Sequence, residues 1–233
     1  VITKEDFLNG QVLLVDKPMG WSSFQAVNSI KWTLRRKFNL KKIKVGHAGT
    51  LDPLATGLLL ICTGKFTKKI QELQGLLKEY TGTITLGATT PSFDLETEID
   101  QSYPTDHLTE EQIRNTTSQF LGKIEQQPPV FSAIKKDGKR LYEYAREGVS
   151  VEIKSRTIEI LEFEILSISM PKVNFRVVCS KGTYIRSLAH DFGKALSSGG
   201  YLSALRRTKI GDYNVDNALE PKRFEKQMLG DKS

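Results

Sequence analysis

Gly46-His47-Ala48-Gly49-Thr50-Leu51-Asp52-Pro53-Leu54-Ala55-Thr56-Gly57 runs straight into Leu58-Leu59-Leu60-Ile61-Cys62. The apolar run reads as a buried strand. The glycines before it let the backbone turn at positive φ and pass close to other groups. Asp-Pro favours an extended or turn geometry at the aspartate, which keeps Asp52 out of a helix interior. Asp52 is therefore expected on a rigid loop pinned to the core, with His47 five residues before it. Two uses fit such a loop. One is a helix N-cap followed by proline at the first helical position. The other is a reactive carboxylate on a rigid scaffold. The local pattern leaves both open.

Composition bounds what surrounds that stretch. The chain has 233 residues, of which 39% are hydrophobic and 26% charged. That suffices for one large domain or two small ones with a core that needs no disulfide staples. Cys62 and Cys179 both lie in apolar or alternating runs and read as reduced core residues of a cytosolic protein. Histidines stand only at 47, 107 and 190, without metal-ligand spacing, so no metal site is expected. No apolar run approaches the roughly 20 residues of a membrane span, and the N-terminus does not read as a secretory signal. A cytoplasmic location and no membrane partner follow as expectations.

The net charge is +7 and is unevenly spread. Lys31, Arg35, Arg36, Lys37, Lys41, Lys42 and Lys44 stand together without an acid. Residues 91–111 carry acids and neither lysine nor arginine. Separated basic and acidic surfaces suit a polyanion, commonly nucleic acid, although a basic run also serves as a plain solvated face.

Outward from the loop, residues 11–15 read as a strand that ends in the turn Asp16-Lys17-Pro18-Met19-Gly20. Ser22 and Gln25 form a capping box for a helix whose apolar face is Phe24, Val27, Ile30, Leu34 and Phe38. Downstream, Thr67 to Leu77 reads as a short helix with Ile70, Leu73 and Leu77 inward, and Glu79 to Leu86 as an alternating strand. The acidic stretch 91–106 reads as a loop, and Thr109 caps a helix to about Leu121. Residues 122–150 interleave Lys135, Lys136, Lys139, Arg140 and Arg146 with Tyr142 and Tyr144, a pattern suited to backbone contact plus base stacking, or to an exposed helix. Residues 157–166 and 173–179 alternate as antiparallel strands. Thr183 to Leu196 is a helix with Ile185, Leu188, Ala189, Phe192 and Leu196 inward and Arg186 beside that stripe. Tyr201 to Ile210 reads as the last strand, followed by a short helix and a frayed tail. The expected class is α+β: a mixed, mostly antiparallel central sheet with flanking helices.

Six segments, taken together and in order, resemble the TruB family of tRNA pseudouridine synthases. They are Asp16-Lys17-Pro18-Met19-Gly20-Trp21-Ser22-Ser23, the Gly46–Gly57 loop, Lys78-Glu79-Tyr80, Gln127–Lys135 with Gly138–Glu143, Cys179–Leu188, and Leu202–Thr208. The resemblance implies a pseudouridine synthase fold acting on the uridine at position 55 (tRNA numbering) in the TΨC stem-loop of tRNA. It implies that Asp52 is the catalytic aspartate, that Tyr80 stacks on the target base, and that Arg186 pairs with the aspartate. His47 matches a histidine that packs into the RNA loop, and Leu205 a leucine lining the uracil pocket. Lys17, Pro18, Lys181 and Tyr184 match positions that shape or border the site. Lys135, Arg140 and Tyr142 fall in the family's RNA-gripping insertion, about 122–150. Many members continue into a C-terminal PUA domain, whereas this sequence stops at Ser233; one catalytic domain over 1–233, without a full PUA domain and acting as a monomer, is the expectation.

The chemistry agrees with the residue types. Pseudouridine formation breaks N1–C1′, turns the uracil and joins C5 to C1′. It is an isomerisation and calls for a placed carboxylate, so the resemblance implies no metal, redox group or other cofactor. A base inside a folded loop must first be extruded, at a few kcal/mol, and stacking on an aromatic such as Tyr80 returns about 1–3 kcal/mol. A non-catalytic RNA-binding or RNA-folding module is the competing class. It would share the basic charge and aromatics but has no use for Asp52 with Arg186.

Overall fold

A computed structural model describes residues 2–132, 134–136 and 138–230, with the backbone alone at Lys135 and Lys136. In chain order it runs α1 (Lys4–Asn9), β1 (Val12–Lys17), α2 (Ser23–Lys37), β2 (Val45–His47), β3 (Ala55–Thr63), α3 (Ile70–Gln74), β4 (Lys78–Leu86), β5 (Ala88–Thr89), β6 (Gln101–Ser102) and α4 (Glu110–Thr116). It continues with β7 (Gly122–Gln126), β8 (Lys135–Lys136), β9 (Lys139–Arg140), α5 (Leu141–Arg146), β10 (Arg156–Ser169), β11 (Lys172–Cys179), α6 (Ile185–Ala195), β12 (Gly200–Ile210), β13 (Tyr213–Asn214) and α7 (Pro221–Leu229). The class is the expected one: α+β, built on mostly antiparallel sheet with flanking helices. Two compact units divide the chain. One is Val1–Tyr80 with Arg206–Ser233, the other Thr81–Leu205.

In the first unit, β3 lies antiparallel to β1, from Val12 opposite Cys62 to Lys17 opposite Gly57, and β2 also pairs with β3. The reason β3 is apolar at consecutive positions is that both its faces are covered. Leu59 and Ile61 pack with Phe7, Ile30, Leu34 and Phe224, while Leu58, Leu60 and Cys62 pack with Leu73, Ile210 and Val215. Each such side chain contributes roughly 1.5–3 kcal/mol by leaving water. The capping box at Ser22 forms as expected: its side chain accepts from the Gln25 backbone, and the Gln25 side chain from the Ser22 backbone.

The first turn of α2 corrects the sequence reading. Phe24 faces solvent, 67% exposed. Ser23 is the residue that turns inward, its hydroxyl bonded to Leu51; it shares the buried face with Ala26, Val27, Ile30 and Leu34, and Phe24, about 100° further round the helix, falls outside that face. The expected helix 67–77 is a 3-10 stretch, Gly64–Lys69, followed by α3. Its hydrogen-bonded turns close at Gly75, and Leu77 is exposed rather than inward. Tyr201–Ile210 is not the last strand, since β13 pairs back on β12. Helix α1, with its own Thr3–Asp6 capping box, was not anticipated. The expected short C-terminal helix is α7, which buries Pro221 and Phe224. A frayed tail is expected after it, and residues 231–233 lie outside the described residues.

In the second unit the strand order is β12-β4-β11-β10-β7. β10 carries two register shifts, between Ile160 and Glu162 and between Ile165 and Ser167. The first switches the buried set from Ile158 and Ile160 to Phe163 and Ile165, and Leu161 is left exposed. Helix α6 buries four residues of its expected stripe, Ile185, Leu188, Ala189 and Phe192, and the fifth, Leu196, is buried just past its end. Phe192 of that helix meets Phe163 of β10 at 5.4 Å. The 122–150 segment contains β7, the β8–β9 hairpin and the short helix α5.

Candidate active site

Asp52 is half-buried, in neither helix nor strand, and flanked by exposed Pro53 and Leu54. The helix-cap reading of Asp52-Pro53 is therefore set aside; Ala55 N–H closes a short turn on the Asp52 carbonyl at 3.0 Å. Ser23 grips the preceding residue twice. Its hydroxyl donates to the Leu51 carbonyl at 3.1 Å and accepts from the Leu51 N–H at 2.8 Å. Gly20 N–H donates to the Pro53 carbonyl at 2.8 Å. From β12, buried Arg207 donates Nε–H to the Leu58 carbonyl at 2.8 Å and a terminal N–H to the Gly49 carbonyl at 3.0 Å. Its neighbour Arg206 forks onto Asp16 at 3.0 and 2.8 Å. Adjacent strand residues face opposite ways. The two arginines thus fasten two different segments: Arg207 the loop before β3, and Arg206 the end of β1, which runs on through Asp16 and Lys17 where the sequence suggested a turn. At Gly57 (φ 105°), a Cβ would stand 2.3 Å from the Arg207 carbonyl, so the strand can approach only as glycine.

Lys17 has no exposed surface. Its Nζ donates to the carbonyls of Trp21 at 2.6 Å and Pro18 at 3.0 Å, and reaches that of Pro53 at 3.5 Å. Burial lowers its pKa to about 8, with Arg207 adding to the depression and the Asp52 carboxylate opposing it. Lys17 and Asp52 are thus electrostatic neighbours, and half-buried Pro18 directly follows Lys17 at the end of β1. His47, at the end of β2, has its pKa lowered first by burial and then by Arg207, so its ring is neutral at pH 7. Tyr80, on β4 at the end of the first of the two segments that make up this unit, is 8% exposed.

The second unit holds Arg186 on the first turn of α6, buried. One terminal nitrogen donates to the Phe131 carbonyl at 2.8 Å and to that of Ser92 at 3.3 Å. Its Nε stands 3.8 Å from Oδ2 of buried Asp94. The other carboxylate oxygen of Asp94 accepts from the Ser92 hydroxyl at 2.6 Å and the Glu96 N–H at 2.9 Å. The start of α6 is stitched to the 126–131 segment. The buried Gln126 amide donates to the Tyr184 carbonyl and accepts from its N–H, and Ser187 donates to the Gln127 carbonyl. Half-buried Tyr184 carries Arg156 over its ring, Lys181 is exposed, and Leu205 is half-buried on β12. In the insertion, exposed Arg140 and Arg146 both lie over half-buried Tyr142, at 5.9 and 5.2 Å. The Lys135 side chain lies outside the described part of the chain.

The sequence matches the family model described as TruB family pseudouridylate synthase (N terminal domain) over residues 35–185. The chain belongs to the TruB family. Among relatives, a tRNA pseudouridine synthase B from Flavobacterium johnsoniae is 67% identical over 97% of this chain and 100% of its own length. Another from Phocaeicola vulgatus is 56% identical over 94% of this chain and 93% of its own. Among solved structures, a chain of a Cbf5-Nop10-Gar1 complex superposes with a TM-score of 0.69 at 32% identity. The match covers 93% of this chain and 54% of that one, so this chain spans about half its length.

Several residues that hold candidate functional residues in place, within one unit or the other, were not singled out from sequence. Asp94 sits in the acidic run 91–111 and reads there like its exposed neighbours Glu96 and Glu98; only the fold buries it. Ser23 and Gln126 are polar residues whose backbone-binding roles depend on segments 28 and 58 residues away. Arg207 did leave a signal, an arginine at an inward strand position, which must find acceptors if buried.

Proposed function

We propose that this chain isomerises uridine to pseudouridine in tRNA, at position 55 of the TΨC loop. Asp52 is the reacting carboxylate, Tyr80 the platform for the flipped base, and Arg186 the cation that the resemblance pairs with the aspartate. The observation that carries the reading is the treatment of Asp52. A half-buried carboxylate stands on a loop fastened by Ser23, Gly20 and Arg207, next to a lysine with no exposed surface. Preorganisation of that kind keeps a charge in place while a substrate replaces water around it. A protein that only bound RNA would gain nothing by holding a carboxylate toward phosphates. Family membership and relatives named tRNA pseudouridine synthase B support the same reading.

In this scheme the base is first turned out of its loop. Asp52 engages the nucleoside, the N1–C1′ bond breaks, the uracil turns, C5 bonds to C1′, and the proton leaves C5 while N1 gains one. Neutral His47, at the end of β2, can fill space left by the flipped base without adding charge. Arg140, Arg146 and Tyr142 of the insertion offer cationic and stacking contacts to the RNA.

The test is release of tritium from T-arm RNA labelled at C5 of its uridines, with an anticodon-arm transcript as control. Release from the T arm up to one equivalent, and none from the control, is the expected result. No release from the T arm would overturn the enzyme reading, and equal release from both would overturn the choice of position.

A further inference from the structure

Arg186 and His190 lie four residues apart on α6, one turn above the other on the same face. Both meet the same three-residue stretch. Arg186 takes the Ser92 carbonyl and faces the Asp94 carboxylate. Between these two, Phe93 stacks on the His190 ring, with centroids 3.9 Å apart and planes 17° off parallel. Phe93 has φ 65°, a left-handed backbone conformation that is costly for a bulky residue and persists only when its surroundings impose it. The turn reverses the chain so that a carbonyl and a carboxylate on either side of Phe93 reach one guanidinium. Its backbone is tied at both ends, Phe93 N–H to the Thr90 carbonyl and Leu202 N–H to the Phe93 carbonyl. The ring is tied by His190.

We propose that His190 and Phe93 are positioning residues for the isomerisation: their stack holds the Ser92-Phe93-Asp94 turn against α6 and so sets the direction of Arg186. The inference rests on the reading above, in which Arg186 serves the reaction. His190 suits the role as a neutral ring. Its Nδ1 is buried without a hydrogen-bond partner among the described residues, so what it offers there is a flat face rather than a hydrogen bond. The face it offers belongs to the helix that carries Arg186, so loss of the stack is felt by the guanidinium.

The experiment measures the single-turnover rate and the RNA dissociation constant for the full chain carrying His190→Ala, His190→Phe, Asp94→Asn and the pair His190→Ala with Asp94→Asn. A misplacement of about 1 Å away from the chemistry can lower a rate by about 100-fold. His190→Ala is expected to slow the step by about 10-fold or more on that scale, with affinity unchanged. His190→Phe keeps a stacking ring and is expected to restore most of the rate. In the double variant His190→Ala adds little to Asp94→Asn, because both act through the same turn. A wild-type rate in His190→Ala, a His190→Phe enzyme as slow as His190→Ala, or fully additive slowing in the pair would each overturn the proposal. Should His190→Ala unfold at the assay temperature, His190→Leu replaces it. It fills the space without a flat face, and its turning over as fast as His190→Phe would also overturn the stack. Asp52→Asn run alongside separates the two levels. An active Asp52→Asn rejects the functional reading itself, whereas an inactive one beside an unimpaired His190→Ala rejects the positioning role alone.

Discussion

A lysine cut off from solvent needs acceptors, and Lys17 finds three carbonyls, one of them that of Pro53, the residue after Asp52. Its pKa near 8 against the ordinary 10.5 has a consequence that can be measured. Below about 8 both folded and unfolded chains hold the proton, and the burial penalty is present in full. Between there and 10.5 the unfolded chain still holds it while the folded chain does not, so folding stability rises with pH across that window. The rise attributable to this group is roughly 3 kcal/mol. Urea unfolding of wild type and Lys17→Met at steps from neutral to alkaline pH should show a stability difference that shifts toward the wild type across the window; a constant difference would contradict the buried-charge assignment. Asp94 makes the complementary case. Asp94→Asn keeps an acceptor for the Ser92 hydroxyl and the Glu96 N–H but takes a negative charge away from Arg186. Breaking a buried pair costs roughly 3–5 kcal/mol, and the lower end is expected because the Ser92 and Phe131 carbonyls still accept from the guanidinium. Unchanged thermal and urea midpoints would contradict it. At this scale the sequence was half legible. Asp52 stood out through its glycines and proline, whereas Asp94 differed from its acidic neighbours in nothing but the surroundings that the fold later supplies.

Elements were easier to read than single residues wherever both faces of a segment met the same kind of environment. β3 was visible as a consecutive apolar run because two separate clusters cover it. The stripe on α6 was visible because its pattern is helical throughout. Reading failed where the buried face is displaced by one residue: at the start of α2, where Ser23, bonded to Leu51, lies on that face and Phe24 does not, and at Leu161, where a bulge changes which parity of β10 is buried. Glycines separate conformation from contact. Gly57 and Gly20 both have positive φ, 105° and 80°. A Cβ at Gly57 collides with the backbone of Arg207, while one at Gly20 meets nothing within 4 Å. Gly20→Ala should therefore cost about 1–2 kcal/mol, the backbone strain alone. Gly57→Ala should cost several kcal/mol more, because β3 and β12 must part to admit the methyl group. Thermal unfolding of the two variants checks the ranking, and equal losses would mean that contact at Gly57 yields more readily than its geometry implies.

Over the whole molecule, the family was legible because six separated motifs fall in one order, a constraint that no single segment carries. The net charge of +7 adds a physical expectation. Each phosphate neutralised on duplex RNA releases counterions, and log affinity falls with log salt by a slope of order −0.9 per contact on B-form duplex and about −0.7 on single strands. T-arm binding should weaken steeply between low and physiological salt, while the single-turnover rate at saturating protein stays flat. A salt-independent affinity would contradict phosphate contacts as its main source. The central claim concerns one carboxylate, and it is tested most directly by tritium release from C5-labelled T-arm RNA under single turnover, with Asp52→Asn set against the wild type. The variant is expected to bind the RNA as the wild type does and to release no tritium above background. Release at the wild-type rate would contradict Asp52 as the reacting group.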